Sequence, residues 1–176
     1  MDGGAPQTAW PSSFPALTTK RLRLRAPLLR DAAALRDILG DPEVTRYHNM
    51  PTLTTLAEAG AALERLQHRY AARDTIRWAI EQVEHGDMIG TVGLLRFDFE
   101  HRRAEVGYEI ARRLWGRGLA PEAAAAVIKY ASVRVLQKLG FLEEGTRRDF
   151  LYAKGRFMSF RWFSLLEGDE SSLGGP

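Results

Sequence analysis

Ala104-Glu105-Val106-Gly107-Tyr108-Glu109-Ile110, followed by Arg112-Arg113-Leu114-Trp115-Gly116-Arg117-Gly118-Leu119-Ala120 and then Pro121-Glu122, is the stretch that decides the fold. Its first part alternates in character and is rich in β-formers. Its last part opens a helix, with Pro in the first turn ahead of four alanines, Val127 and Ile128. The first amides of a helix have no internal partner and carry partial positive charge, and Gly116 and Gly118 remove the Cβ atoms that would hold an anion away. Arg112, Arg113 and Arg117 add full charges. The junction therefore reads as a seat for a diphosphate, although the same spacing also serves ordinary strand-to-helix turns, so the surrounding chain must decide.

Working outward, a chain of 176 residues with 45% hydrophobic residues suits one domain with a sizeable core. No apolar run approaches the ~18 residues that span a bilayer. The absence of cysteine excludes a disulfide frame, a thiolate nucleophile and a zinc ribbon. His48, His68, His85 and His101 show no metal-ligand spacing and read as surface or loop residues, so no metal is expected. The net charge is +3, but the basic residues are scattered. That favours a mixed-charge surface with local positive charge for an anionic cofactor over a nucleic-acid partner. Residues 1–16, with Gly3, Gly4, Pro6, Pro11 and Pro15, lack the pattern of a signal peptide and read as a loose arm. Residues 17–167 form the domain, 168–176 a loose tail, and the expected location is cytoplasmic.

Leu17 to Arg25 alternates Leu22 and Leu24 with Arg21, Arg23 and Arg25, as a half-buried strand does. Leu28 to Leu39 has helical spacing ended by Asp41-Pro42, and a second helix runs from about Leu56 to Ala72 with Ala59, Leu63, Leu66 and Tyr70 inward. Asp74 to Val83 and Met88 to Phe97 form a hairpin about Glu84-His85-Gly86-Asp87. The strand Arg102 to Ile110 and the motif helix follow. A short helix through Leu139 with Gly140 as its cap then precedes strands around Phe141 to Tyr152 and Phe157 to Leu166. The order predicts a mixed α/β sheet.

Arg113-x-x-Gly116-x-Gly118 resembles the [Gln/Arg]-x-x-Gly-x-[Gly/Ala] motif of the GNAT N-acetyltransferases, and AEVGYEIARRLWGRGLAPEA looks like the RimJ/RimL-type branch. LTTKRLRLRAPLLRDAAAL, MIGTVGLLRFD and SVRVLQKLGFLEEGTRRDFLYAKGRFMSFRWFSLL agree in order, so the resemblance spans roughly Leu17 to Leu166. It implies a GNAT fold: a mixed, mostly antiparallel sheet of about six to seven strands flanked by helices on both faces. It implies direct transfer of the acetyl group of acetyl-CoA to a primary amine. The acceptor is left open among a protein N-terminus, an amino acid, a polyamine and a drug-like amine, as is the choice of monomer or homodimer. On this resemblance the cofactor-binding residues are Ile110, Arg112, Arg113, Trp115, Gly116, Arg117, Gly118, Leu119 and Ala120, with Trp115 expected to pack beneath the loop.

One departure matters. Relatives carry a strand of roughly twenty residues with its loops after the motif helix, whereas this chain passes from Lys129-Tyr130-Ala131 directly to Ser132-Val133-Arg134-Val135. Parallel strands need a crossover, and the family's cleft forms where two such strands splay to admit pantetheine. Either the segment is absent and the usual cleft is lost, or the sequence omits residues the molecule contains. Strong family character on both sides favours omission. A bonded Ala131 and Ser132 would have Cα atoms about 3.8 Å apart.

Acetyl transfer needs a neutral amine, a polarised thioester carbonyl and a proton for the departing thiolate. Glu105 and Glu109 share one strand face with Gly107, and either is a candidate base acting through water. Each also reads as a solvated residue or the partner of a nearby Arg. Many GNAT enzymes place a general-acid Tyr where this chain has Leu136, so that role does not carry over. Ser132 matches the Ser of the RimJ/RimL-type element and would bond cofactor or thiolate, or equally cap a helix. Tyr47, His48 and Asn49 fall where the family places acceptor-binding loops, and Tyr152 and Arg156 sit at the final hairpin that borders the acceptor. The alternatives are a non-catalytic CoA-binding or regulatory module and a basic nucleic-acid-binding domain, the latter marked by steep salt dependence.

Overall fold

Leu22 and Leu24 are fully buried while Arg23 between them is exposed, as the alternation predicts. They belong to a computed structural model that describes residues 10–47, 51–98, 103–131, 142–153 and 156–164. The expected single strand from Leu17 to Arg25 is instead two, β1 (Leu17–Thr18) and β2 (Leu22–Arg25), which turn back on each other with Leu17 opposite Leu24. Thr19 closes the turn, its hydroxyl accepting from the Leu22 amide at 3.0 Å.

After β2 a single 3-10 turn, Leu29–Asp31, leads into α1 (Ala32–Leu39), and α2 follows at Leu56–Ala71. Thr55 and Glu58 form a capping box at the start of α2: the Thr55 hydroxyl accepts from the Glu58 amide, and the Glu58 carboxylate accepts from the Thr54 and Thr55 amides. Those donors pull the Glu58 carboxyl down to about 2. The strands β3 (Ile76–Gln82), β4 (Met88–Asp98) and β5 (Arg103–Ile110) continue an antiparallel meander from β1 and β2. Gly86 turns the β3–β4 hairpin at φ +72°. α3 (Leu119–Tyr130) comes next, then β6 (Leu142–Ala153) and β7 (Arg156–Ser164), which extend the sheet to seven strands in the order β1-β2-β3-β4-β5-β7-β6.

Every pairing among the described residues is antiparallel, so the expected parallel pair is not formed there. Among the described residues β7 meets β5 at Arg103 and Ala104 alone. No described strand lies along that edge of β5 from residue 105 to residue 110. The junction of Ala131 with Ser132, and the helix expected through Leu139, fall outside the described residues.

Pairing of Trp78 with Val92 and Val92 with Tyr108 puts these on the face that α3 covers, where the Tyr130 ring meets the Trp78 ring edge-on at 5.7 Å. The segment expected as a loose arm through residue 16 is packed from Trp10 onward. Trp10 stacks against Tyr70 and Phe97, Phe14 against Tyr70 and Trp78, and the buried Trp78 indole donates to the Pro15 carbonyl at 2.5 Å. Covering three aromatic rings outweighs the ordering cost that the prolines already reduce.

On the opposite face Arg25 joins sheet to helix. It donates to both oxygens of the buried Asp31 at 2.8 Å and through Nε to Glu81 at 2.5 Å, while Asp31 also accepts from the Leu28 amide at 2.8 Å. Burial opposes the charge on Asp31, but these donors outweigh it and hold the carboxyl below its ordinary value. Asp31→Asn leaves Arg25 short of a partner and is expected to cost about 3 kcal/mol near pH 7. A carboxyl lowered on folding contributes its stability above the unfolded value near 3.9 and loses it as pH falls through the folded one. Urea unfolding should therefore show the gap between wild type and variant closing below about pH 4, and a gap of constant size would contradict this role.

Candidate functional site

At the end of β5 the chain makes a 3-10 turn, Arg112–Leu114, and then a loop that enters α3 through Gly118. Gly116 and Gly118 stand at φ +75° and +72°, a region costing other L-residues about 1–2 kcal/mol. The backbone bonds here are Leu114 N–H to Ala111, Trp115 N–H to Arg112 and Glu122 N–H to Gly118. The amides of Gly116, Arg117, Gly118, Leu119 and Ala120 make no hydrogen bond among the described residues. Unpaired donors on an exposed loop at a helix N-terminus make an anion site.

The side chains divide sharply. Arg113 and Arg117 are exposed and in no ion pair among the described residues, leaving both charges beside the amides. Arg112 instead reaches Asp41, 3.5 Å away, which ties the loop to the end of α1. Trp115 does not pack beneath the loop as expected; it is half exposed, and its indole donates to the Ile110 carbonyl at 2.8 Å. Ile110 and Leu119 point their side chains into the core and Ala120 is half-buried, so Leu119 and Ala120 offer only their amides outward.

Glu105 and Glu109 occupy the β5 face opposite Tyr108, and each meets an arginine. Glu109 bonds Arg77 and the Thr91 hydroxyl, while Arg77 Nε donates to Thr91 at 2.9 Å. The Arg77 side chain crosses the sheet over Gly93 and Gly107; a Cβ on Gly107 would stand 3.4 Å from its Nη1. Glu105 receives Arg96 Nη1 at 2.9 Å on both oxygens. Arg96 sits at φ +50° in the bulge between Leu95 and Asp98, which aims it at Glu105.

Tyr47 ends a short turn, Thr45–Tyr47, and Tyr152 and Arg156 lie on the two strands of the final hairpin, where Tyr152 pairs with Phe157. His48, Asn49 and Ser132 lie outside the described residues. The sequence reading missed Arg21 and Thr19, which hold the loop from below, and Arg77 and Thr91. Their partners lie 14 to 103 residues away, so no local spacing marks them. Among the described residues no three His, Asp or Glu side chains cluster in a metal-binding group. No described helix is long and apolar enough to cross a membrane.

Residues 21–142 match the Acetyltransferase (GNAT) domain family. The chain belongs to that family and is an acetyl-CoA-dependent N-acetyltransferase. It is 32% identical over 176 residues to the uncharacterized N-acetyltransferase YoaA of Bacillus subtilis, covering 89% of this chain and 99% of that one. It is 34% identical over 170 residues to the uncharacterized N-acetyltransferase p20 of Bacillus licheniformis, covering 86% and 96%. Its fold matches that of RimL, a ribosomal α-N-protein acetyltransferase in complex with coenzyme A, at a TM-score of 0.68 and 14% identity, over 88% of this chain and 100% of that one.

Both sequence alignments carry positions that this chain lacks. Since 89% of 176 residues is about 157 against 176 aligned, and 86% is about 151 against 170, about 19 positions in each have no counterpart here. That is the size of the strand segment found wanting after α3.

Gly118→Asp puts a carboxylate among the free amides, where an anion of the cofactor would sit. The rise in melting temperature that CoA gives the wild type should vanish in this variant; a shift of undiminished size would take the loop out of the cofactor site.

Proposed function

We propose that the protein is a RimJ/RimL-type enzyme that acetylates an α-amine, of an amino acid or a peptide N-terminus, with the diphosphate of acetyl-CoA held on residues 116–120. The observation that carries this is the group of five amides, unpaired among the described residues, beside Arg113 and Arg117 at the end of β5, whose outer edge from residue 105 to residue 110 carries no described strand. The likeness to RimL supports the branch, and the absence of cysteine suits direct attack and a cytoplasmic setting.

The reach of the cofactor favours one of the two carboxylates. The pantetheine arm is comparable to four or five residues of extended backbone, or about 15 Å. Running from the loop along β5, it brings the thioester about five residues beyond Ile110, since five residues of strand span about 17 Å. Glu105 stands there, and Glu109 stands near the diphosphate end. Glu105 is therefore the base, acting through water, and Arg96, an exposed partner, gives way to the incoming amine. Glu109 with Arg77 and Thr91 braces the floor of the site. Attack of the neutral amine on the thioester carbonyl forms the amide bond and breaks the carbon–sulfur bond. The proton from nitrogen leaves through water to Glu105, and the thiolate is reprotonated from solvent.

The acceptor class follows from proton affinity. Deprotonating a lysine of pKa near 10.4 at pH 7 takes about 4.6 kcal/mol, against about 1.4 kcal/mol for an α-amine near 8. A carboxylate base working through water fits the smaller demand.

Free-thiol release with a panel of amines tests both parts. Amino acids or short peptides with a free N-terminus should turn over at neutral pH, ahead of lysine side chains and polyamines. Glu105→Gln should lower kcat about 100-fold with the acetyl-CoA KM nearly unchanged, while Glu109→Gln should cost less. Equal rates for wild type and Glu105→Gln would remove Glu105 as the base.

A further inference from the structure

Two of the free amides, those of Gly118 and Leu119, do not face outward by themselves. A trans peptide unit points its carbonyl and the next N–H in opposite directions. The Arg117 and Gly118 carbonyls both turn toward Arg21, a residue of the β1–β2 turn 96 and 97 positions earlier. Arg21 Nη1 donates to the Arg117 carbonyl at 2.9 Å and Nη2 to the Gly118 carbonyl at 3.3 Å. The N–H groups of Gly118 and Leu119 consequently point away from Arg21, toward the open side of the loop.

Arg21 is itself held. Its Nε donates to Glu122 Oε2 at 2.6 Å and its own amide to Glu122 Oε1 at 3.1 Å, while the Thr19 hydroxyl donates to Oε1 at 2.5 Å. Burial disfavours the Glu122 charge, but Thr19 and Arg21 outweigh it and lower the carboxyl. Glu122 also lies in the first turn of α3, where negative charge is favoured. The unit is a planar guanidinium fork that spans two carbonyls and one carboxylate, an arrangement an ammonium group has no shape to reproduce. Its charge is balanced by Glu122, so its influence on an anion above the loop works through orientation.

We propose that Arg21 is a positioning residue for the cofactor. Clamped by Glu122 and Thr19, it fixes the 117–118 and 118–119 peptide units so that their N–H groups are aimed at the diphosphate before acetyl-CoA arrives. Preorganised donors bind without the cost of ordering the loop. This rests on reading residues 116–120 as the diphosphate seat.

The test is calorimetric titration of the full chain with CoA, for wild type, Arg21→Gln and Arg21→Lys, with circular dichroism of each apo protein. Both variants, folded, should bind CoA at least tenfold more weakly. The acetyl-CoA KM should rise in step while kcat at saturation stays within about twofold, a split that general destabilisation would not produce. Arg21→Lys keeps the charge and loses the fork, so it separates orientation from electrostatics. Wild-type affinity in either folded variant overturns the clamp, and should Arg21→Gln fail to fold, Arg21→Lys alone decides. Failure of the wild type to bind CoA would instead sink the seat on which the clamp depends.

Discussion

Five peptide N–H groups that have no partner among the described residues, gathered at one point of the surface, set the terms for the rest of this structure. An exposed amide satisfied only by water has little cost, but five converging amides make a concentrated positive field that few folds hold in place. Here three features hold it. β5 delivers the chain to the site, two glycines bend it through positive φ, and α3 begins with its own donors unpaired. The core answers to the same demand, because Leu114 and Leu119 on either side of the loop are buried and anchor it to the sheet.

The sheet supplies the second requirement, an edge on which a long ligand can lie. β5 is paired along one side with β4, and on the other, among the described residues, it meets β7 at Arg103 and Ala104. Its outer edge from residue 105 onward runs from the carboxylate of Glu105 to the anion loop. Two of the curated relatives carry about 19 aligned positions that have no counterpart in this chain. On that side, among the described residues, the antiparallel β7 is the strand that pairs with β5.

Local patterns were legible in the sequence, and contacts between distant segments were not. The alternation of Leu22 and Leu24, the Gly86 hairpin and the Gly116–Gly118 turn each depend on residues within a few positions of one another. The hold of Arg21 on the loop and the crossing of Arg77 to Glu109 join strands far apart in the chain, and in the sequence each arginine reads as one more solvated charge of a basic protein. Prolines and glycines made the first sixteen residues look loose, whereas Trp10 and Phe14 are the signal that part of that segment packs. Reading each glutamate as a base or as an arginine's partner left both options open, and both carboxylates do have arginine partners.

Amide resonances give the most direct view of the central claim. In a proton–nitrogen correlation spectrum of labelled protein titrated with CoA, the amides of Gly116, Arg117, Gly118, Leu119 and Ala120 should shift downfield together as they bond to phosphate oxygens, and then exchange slowly with solvent. CoA binding that leaves these five resonances in place and still exchanging freely would contradict the account.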